Sequence, residues 1–294
     1  VATVESFTVD CDGQPVEGLR AGPRDAPALL FHNGTPTAAM LLPEVVDAAA
    51  RHGRQVIGFS RPGYAGSQPC RGRDIATNTL ITAAVLDAFG AESFVSAGWS
   101  GGGPHALADA ALLAGRCRAA ATIAGVAPYT ADGLNFLDGM ADDNITEFTL
   151  AANGEDALLP FLEQFAGALA DIDGASAAEA LGDLASDVDK AALTGDFADH
   201  MAAAMRAAVS TGVYGWLDDD LAFTKPWGFD VASIARPVAI WQGDQDRMVP
   251  FAHGEWLATN VPGAHAHLMP GEGHITLGAK RIGEILDDLE TLAR

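Results

Sequence analysis

Short apolar runs alternate along this chain with stretches whose apolar residues return every three or four positions. Ala28-Leu29-Leu30-Phe31, Gln55-Val56-Ile57-Gly58-Phe59, Ser93-Phe94-Val95-Ser96-Ala97, Ala120 to Val126, Val238-Ala239-Ile240-Trp241 and Ala264 to Met269 are too short for buried helices and read as strands. Helical spacing separates them, through Leu41, Val45, Val46 and Ala49, over residues 74–89 (Ile75, Leu80, Ala84, Leu86, Phe89), and from His105 to Ala114. Glu5–Val9 and Val16–Leu19 suit a leading hairpin turned at Asp12-Gly13. Strands and helices alternating at these lengths predict an α/β fold, a mostly parallel sheet with helices on both faces.

The alternation stops at Pro128. For about a hundred residues only helical periodicity remains, with Leu158, Leu162, Phe165 and Leu169 on one stripe and Phe197, Met201, Met205 and Ala208 on another. Strand pattern resumes after Arg236-Pro237, and a helix through Ile282, Ile285, Leu286 and Leu289 closes the chain. The expected organisation is a core domain of residues 1–127 and 236–294 with an all-helical insertion, residues 128–235, over the sheet.

Composition narrows the classes. The 294 residues, 49% apolar, suffice for one large core. No run approaches the ~18 apolar residues of a spanning helix, and the start of the sequence has no basic-then-apolar leader. Cys11, Cys70 and Cys117 have neither disulfide-framework nor zinc spacing, which favours a reducing, cytoplasmic setting. A net charge of −22 argues against nucleic acid or an anionic membrane as partner and leaves a small-molecule substrate. That charge is uneven: residues 128–235 hold 20 Asp/Glu against Lys190, Arg206 and Lys225, a net of −17. Solvated helix faces are the ordinary explanation.

The chemistry centres on Gly98-Trp99-Ser100-Gly101-Gly102, a G-x-S-x-G sequence between a strand and a helix. So tight a turn strains the serine backbone and exposes its hydroxyl above the sheet, and the glycines remove colliding Cβ atoms. Pro104 suits the first turn of the helix that follows. A serine hydroxyl needs a base, and the base a carboxylate. Of eight histidines, His52, His105 and His200 lie in helical patterns, His253 opens a helix, and His32 sits at a strand end suited to packing. His265 and His267 share one strand face, and no Cys or paired carboxylate completes a metal set with them, so neither metal nor cofactor is expected. His274, in the glycine-rich Gly271-Glu272-Gly273-His274, is free to reach the sheet edge. By position either Asp244 or Asp246, after the Val238–Trp241 strand, can orient it.

Taken together these residues resemble the α/β-hydrolase superfamily across nearly the whole chain, with a helical cap inserted after the sixth strand of an eight-stranded sheet. The family order of Ser, then acid, then His matches Ser100, Asp246 and His274, and its G-x-x-D-x-x-V-P pattern selects Asp246 over Asp244. Its H-G-x-P turn corresponds to Asn33-Gly34-Thr35-Pro36, with asparagine in the histidine place. The resemblance therefore implies oxyanion donors at the Thr35 and Gly101 N–H groups, with Gly34 beside the substrate; Trp99, flanking the nucleophile, is placed either to line the acyl site or to pack between helix and sheet. Arg61-Pro62-Gly63-Tyr64-Ala65-Gly66-Ser67 resembles the family's R-P-G-x-G-x-S turn, with Ser60 where aspartate is common. The implied activity is acyl transfer to water from an ester, thioester or amide through an acyl-enzyme on Ser100. A serine nucleophile counts against the aspartate-dependent dehalogenase and epoxide hydrolase branches, while perhydrolysis and carbon–carbon bond hydrolysis use the same triad. Two alternatives stand beside it: a proline-iminopeptidase-like aminopeptidase whose acidic cap holds a cationic amine, and a hydrolase-like receptor with little turnover. Phe136, Met140, Trp216 and Trp227 are candidate pocket-roof residues, as well as candidate cap core.

Overall fold

The computed structural model describes residues 3–294. Its sheet has eight strands, β1 (Glu5–Cys11), β2 (Gln14–Ala21), β3 (Ala28–His32), β4 (Gln55–Phe59), β5 (Phe94–Trp99), β6 (Cys117–Ile123), β7 (Val238–Gly243) and β8 (His265–Met269), in the order β1-β2-β4-β3-β5-β6-β7-β8. β1 and β2 form the antiparallel hairpin turned at Asp12-Gly13, both with positive φ, and every pairing from β4 onward is parallel. The carboxyl ends of β3, β5, β7 and β8 consequently open on one edge, where ligands of such sheets bind.

Three helices accompany the first half of the sheet: α1 (Pro43–Arg51), α2 (Asn78–Ala88) and α3 (Gly103–Leu112). Alternate residues of the buried strands feed opposite cores, as the period of two requires. Leu29, Phe31, Val95, Ala97 and Trp241 pack one way, against α1. Ala28, Leu30, Phe94, Ala120 and Ile240 pack the other way, against α2 and α3. Between β6 and β7 come six helices and no strand: α4 (Asp142–Asn153), α5 (Glu155–Ala170), α6 (Ala177–Ala180), α7 (Asp187–Ala192), α8 (Gly195–Val209) and α9 (Tyr214–Phe223). Leu158 and Leu162 of α5, Ala208 of α8 and Leu217 and Leu221 of α9 share a third core, joined there by Ala38 and Tyr64 from loops at the sheet edge. The helical segment is thus packed onto those loops through its own apolar seam. α10 (Phe251–Asn260), the single turn α11 (His274–Thr276) and α12 (Ile282–Leu292) complete the chain, α12 burying Ile282, Ile285, Leu286 and Leu289 at helical spacing.

Two of the boundaries that differ from the sequence expectation have a local cause. β6 stops at Ile123 rather than Val126, because Ala124 turns the chain at a φ of 49° and carries the next apolar residues out of the sheet. The helix expected from residue 74 begins at Asn78, because the Asp74 carboxylate binds the Thr77 N–H at 2.7 Å and its hydroxyl at 2.6 Å and holds a turn there. Among the described residues no helix is long and apolar enough to cross a membrane.

Candidate active site

The turn after β5 is as tight as its glycines suggest. Ser100 has a φ of 55°, a left-handed conformation that costs a non-glycine residue about 1–3 kcal/mol. A Cβ at Gly98 would overlap the Gly102 carbonyl, and one at Gly102 would overlap the His32 carbonyl, so both positions must be bare. The hydroxyl of Ser100 borders a cavity of about 190 Å³. Gly34, Thr35, Trp99, Gly101 and His274 line the same cavity.

His274 follows β8 and is 3% exposed. Its Nδ1 lies 2.8 Å from the Asp246 carboxylate. Asp246 accepts further bonds from the N–H groups of Met248 at 2.9 Å and Val249 at 2.8 Å and from Gln242 Nε2 at 3.1 Å, so the acid is fixed on every side. Asp244, the positional alternative, is exposed and accepts the Gly271 N–H instead. Burial alone would lower the His274 pKa, but the Asp246 charge and hydrogen bond, with a contribution from Asp189, outweigh it and leave the imidazole above its ordinary value. The resolved hydrogen bond of the ring is to Asp246. Its pairing with Ser100 is by shared cavity wall, and such links commonly tighten only when substrate is bound.

Trp99 packs against the histidine and also reaches the cavity. Its indole N–H donates to the His274 carbonyl at 3.2 Å and its ring lies over the imidazole, centroids 6.1 Å apart, while one part still borders the cavity. Of the suggested roof residues only Trp216 lines the cavity. Phe136, Met140 and Trp227 belong to the core beneath the sheet, with Phe136 edge-on to His253 at 4.8 Å. Phe161, Phe165, Leu169, Met201 and Met205 form much of the apolar wall, the last four taken from the two stripes visible in the sequence. The other histidines go elsewhere. His32 bonds Asp109 at 2.8 Å beneath the turn, His253 is lowered to about 4 by burial, and His267 stacks on Trp241 with ring centroids 3.8 Å apart.

Sequence reasoning missed the group that holds the Asn33–Thr35 loop. Arg61, 2% exposed, donates to the carbonyls of Asn33 at 2.6 Å and Gly34 at 2.9 Å and to Thr35 Oγ1 at 3.0 Å. Asp219 of α9 pairs with Arg61 at 2.6 Å and Arg73 at 2.5 Å and accepts the hydroxyls of Tyr64 at 2.9 Å and Thr35 at 2.7 Å. Burial would raise this carboxyl, but Arg61 and Arg73 hold it well below the usual range. A signal was present. Asp218-Asp219-Asp220 stand together inside a helical run of otherwise apolar residues, and a helix of that composition cannot put all three in water. Asp220 and Glu147 form a second carboxylate feature on the cavity wall, with Trp216 Nε1 donating to Glu147 at 2.6 Å. Burial first, then the proximity of Glu147, raises Asp220 well above the carboxylate range, and burial raises Glu147 also.

The family model for the alpha/beta hydrolase fold matches residues 27–278. A non-heme chloroperoxidase of Streptomyces lividans is 33% identical over 136 residues, which is 45% of this chain and 49% of that protein, so the match spans about half its length. Among solved structures, a bromoperoxidase from Bacillus anthracis is 23% identical at a TM-score of 0.68, with 98% of this chain and 100% of that one covered. The enol-lactonase from Burkholderia xenovorans LB400 is 18% identical at a TM-score of 0.67, covering 97% and 100%. At such identities the solved structures establish the fold.

The Asp219 network makes a stability prediction. Removing one member of a buried ion pair strands its partners, a loss of about 3–5 kcal/mol. Asp219→Ala leaves Arg61 and Arg73 buried without their carboxylate and is expected to lose that much by urea unfolding. A loss below about 1 kcal/mol would contradict the assigned role.

Proposed function

The chain belongs to the alpha/beta hydrolase fold family, and from that premise we propose that it is a serine hydrolase that cleaves a carboxylic ester, thioester or amide through an acyl-enzyme on Ser100. The observation that carries the reading is the His274–Asp246 bond of 2.8 Å in the cavity that Ser100 also borders. In this scheme Nε2 of His274 takes the Ser100 proton as Oγ attacks the carbonyl carbon, and Asp246 fixes the tautomer and stabilises the imidazolium. The N–H groups of Thr35 and Gly101 receive the oxyanion, each such donor contributing about 3–4 kcal/mol in comparable sites. Collapse expels the alcohol, thiol or amine with the proton from His274. Water, giving its proton to the same nitrogen, then attacks the acyl carbon and releases the acid and Ser100. Residues 128–235 act as the cap, and its Phe, Leu and Met side chains suit an apolar acyl or leaving group of modest size.

A second reading rests on the Glu147–Asp220 pair. Glu147 and Asp220, with Asp143 beside them, place carboxyl groups on a largely apolar wall, which favours a substrate with a cationic amine, as an aminopeptidase would require. Glu147→Gln then raises KM for an aminoacyl arylamide by at least about tenfold and leaves a neutral p-nitrophenyl ester unaffected. Turnover of the neutral ester alone by the unmodified protein removes this reading.

Two further outcomes test the main proposal. Ser100→Ala lowers kcat on an activated ester by about 10⁶ and abolishes fluorophosphonate labelling; a near-normal rate in the variant means the nucleophile is misassigned, and an unlabelled, inactive wild type favours a receptor. The base works only when neutral, and His274 is held above its ordinary pKa of about 6.5. The acid limb of kcat/KM is therefore expected above pH ~6.5, with activity lost as pH falls through it. A limb in the carboxylate range would contradict a histidine base.

A further inference from the structure

The loop that presents His274 is held from outside the sheet. Asp189, on α7 of the helical segment, is 0% exposed although its neighbour Asp187 lies at the surface. One carboxylate oxygen, Oδ1, accepts the N–H of Ile275 at 2.7 Å and of Thr276 at 3.0 Å. The other, Oδ2, accepts the N–H of His274 itself at 3.0 Å and the Ser186 hydroxyl at 2.8 Å. Three consecutive backbone donors, beginning at the histidine, thus converge on one side chain. They are the unpaired donors at the start of the α11 turn, which nothing within that turn can satisfy. The fit also explains the bare residue before the histidine. A Cβ at Gly273 would overlap both carboxylate oxygens of Asp189, so the G-x-G-H sequence is shaped by a residue some eighty-five positions earlier.

We propose that Asp189 is a positioning residue for His274, through which the helical segment sets the place of the imidazole. The inference rests on the reading of His274 as the base. Its two actions are separable. The three N–H bonds fix the main chain from which the ring projects, and the buried negative charge favours the imidazolium that forms when Ser100 is deprotonated. The charged groups acting on the ring are Asp246, in the loop after β7, and Asp189 of α7; Glu272, on the same loop, is engaged by Arg281 at 2.8 Å. Because α7 belongs to the segment that also walls the cavity, movement of that segment away from the sheet would release the base.

Asp189→Asn tests both actions. An amide keeps one acceptor, but its nitrogen would meet a backbone N–H, donor against donor, and the charge is gone. The expected result is a fall in kcat of about 10²-fold, the cost of a misplaced catalytic group, with KM changed less than about threefold. The His274 titration, followed by imidazole NMR, is expected to move to lower pH, as does the acid limb of kcat/KM. A loss of packing alone would lower activity and leave that titration in place. A folded Asp189→Asn protein with the wild-type titration and kcat overturns the proposal. Should this variant not fold, Gly273→Ala drives a methyl group into the same carboxylate and should shift the titration the same way; an unshifted titration there is equally fatal. The NMR readout needs no turnover, so an inactive wild type would reject the proposed function while leaving the Asp189 result to be judged independently.

Discussion

A carboxylate taken out of water costs several kcal/mol unless donors surround it, and three buried aspartates impose that constraint at one end of this sheet. Asp246 gathers the turn after β7, with Met248 and Val249 N–H groups and the His274 ring. Asp219 gathers the loop after β3 through Arg61, Arg73, Tyr64 and Thr35. Asp189 gathers the turn after β8 through three backbone N–H groups. Each acid is satisfied only if its loop takes one conformation, so the electrostatic demand of the acids becomes the geometry of the site. Two of the three belong to the helical segment between β6 and β7. That segment therefore does more than wall the cavity: without it, Arg61 beneath the Thr35 loop loses its counter-ion and the His274 turn loses the acceptor of its three N–H groups.

The sheet supplies what those anchors hold. Parallel pairing from β4 to β8 brings six strand ends to one edge, and Ser100 projects there from a turn whose strained backbone is held by flanking glycines and by the strand and helix on either side. The apolar wall above it comes from α5 and α8, whose buried faces split their work. Leu158 and Leu162 pack within the segment, while Phe165, Leu169, Met201 and Met205 turn toward the cavity. The acidity of residues 128–235 divides in the same way. Most of those carboxylates face water, yet Asp189, Asp218, Asp219 and Asp220 are buried, and of these Asp189, Asp219 and Asp220 bear on the site.

The tight turn at Ser100 and the pairing of His274 with Asp246 were legible in the sequence because each lies in a local pattern with a local cause, such as glycines around a tight turn or a proline after an acid. The strands were legible because a buried parallel strand must be apolar over its whole length. Arg61 and Asp219 were harder: their pairing joins residues far apart in the chain, and only the three adjacent acids in an apolar helix hinted that one must be buried. Asp189 left no trace, since Asp187-Val188-Asp189-Lys190 reads like any solvated turn. The aromatic residues Phe136, Trp216 and Trp227 stayed open between roof and core for a related reason. Composition marks Phe136 and Trp227 as buried, but only the packing decides whether they face a cavity or the core.

The central claim is that Ser100, His274 and the two N–H groups converge on one reacting carbon under anchors supplied by the helical segment. A crystal structure of the protein after reaction with a phosphonate ester tests it most directly. The account predicts phosphorus bonded to Ser100 Oγ, a phosphonyl oxygen about 2.7–3.1 Å from the N–H groups of Thr35 and Gly101, and His274 Nε2 turned toward the reacting centre with Asp189 still beneath it. Phosphorus on another side chain, or His274 facing away from the adduct, would contradict it.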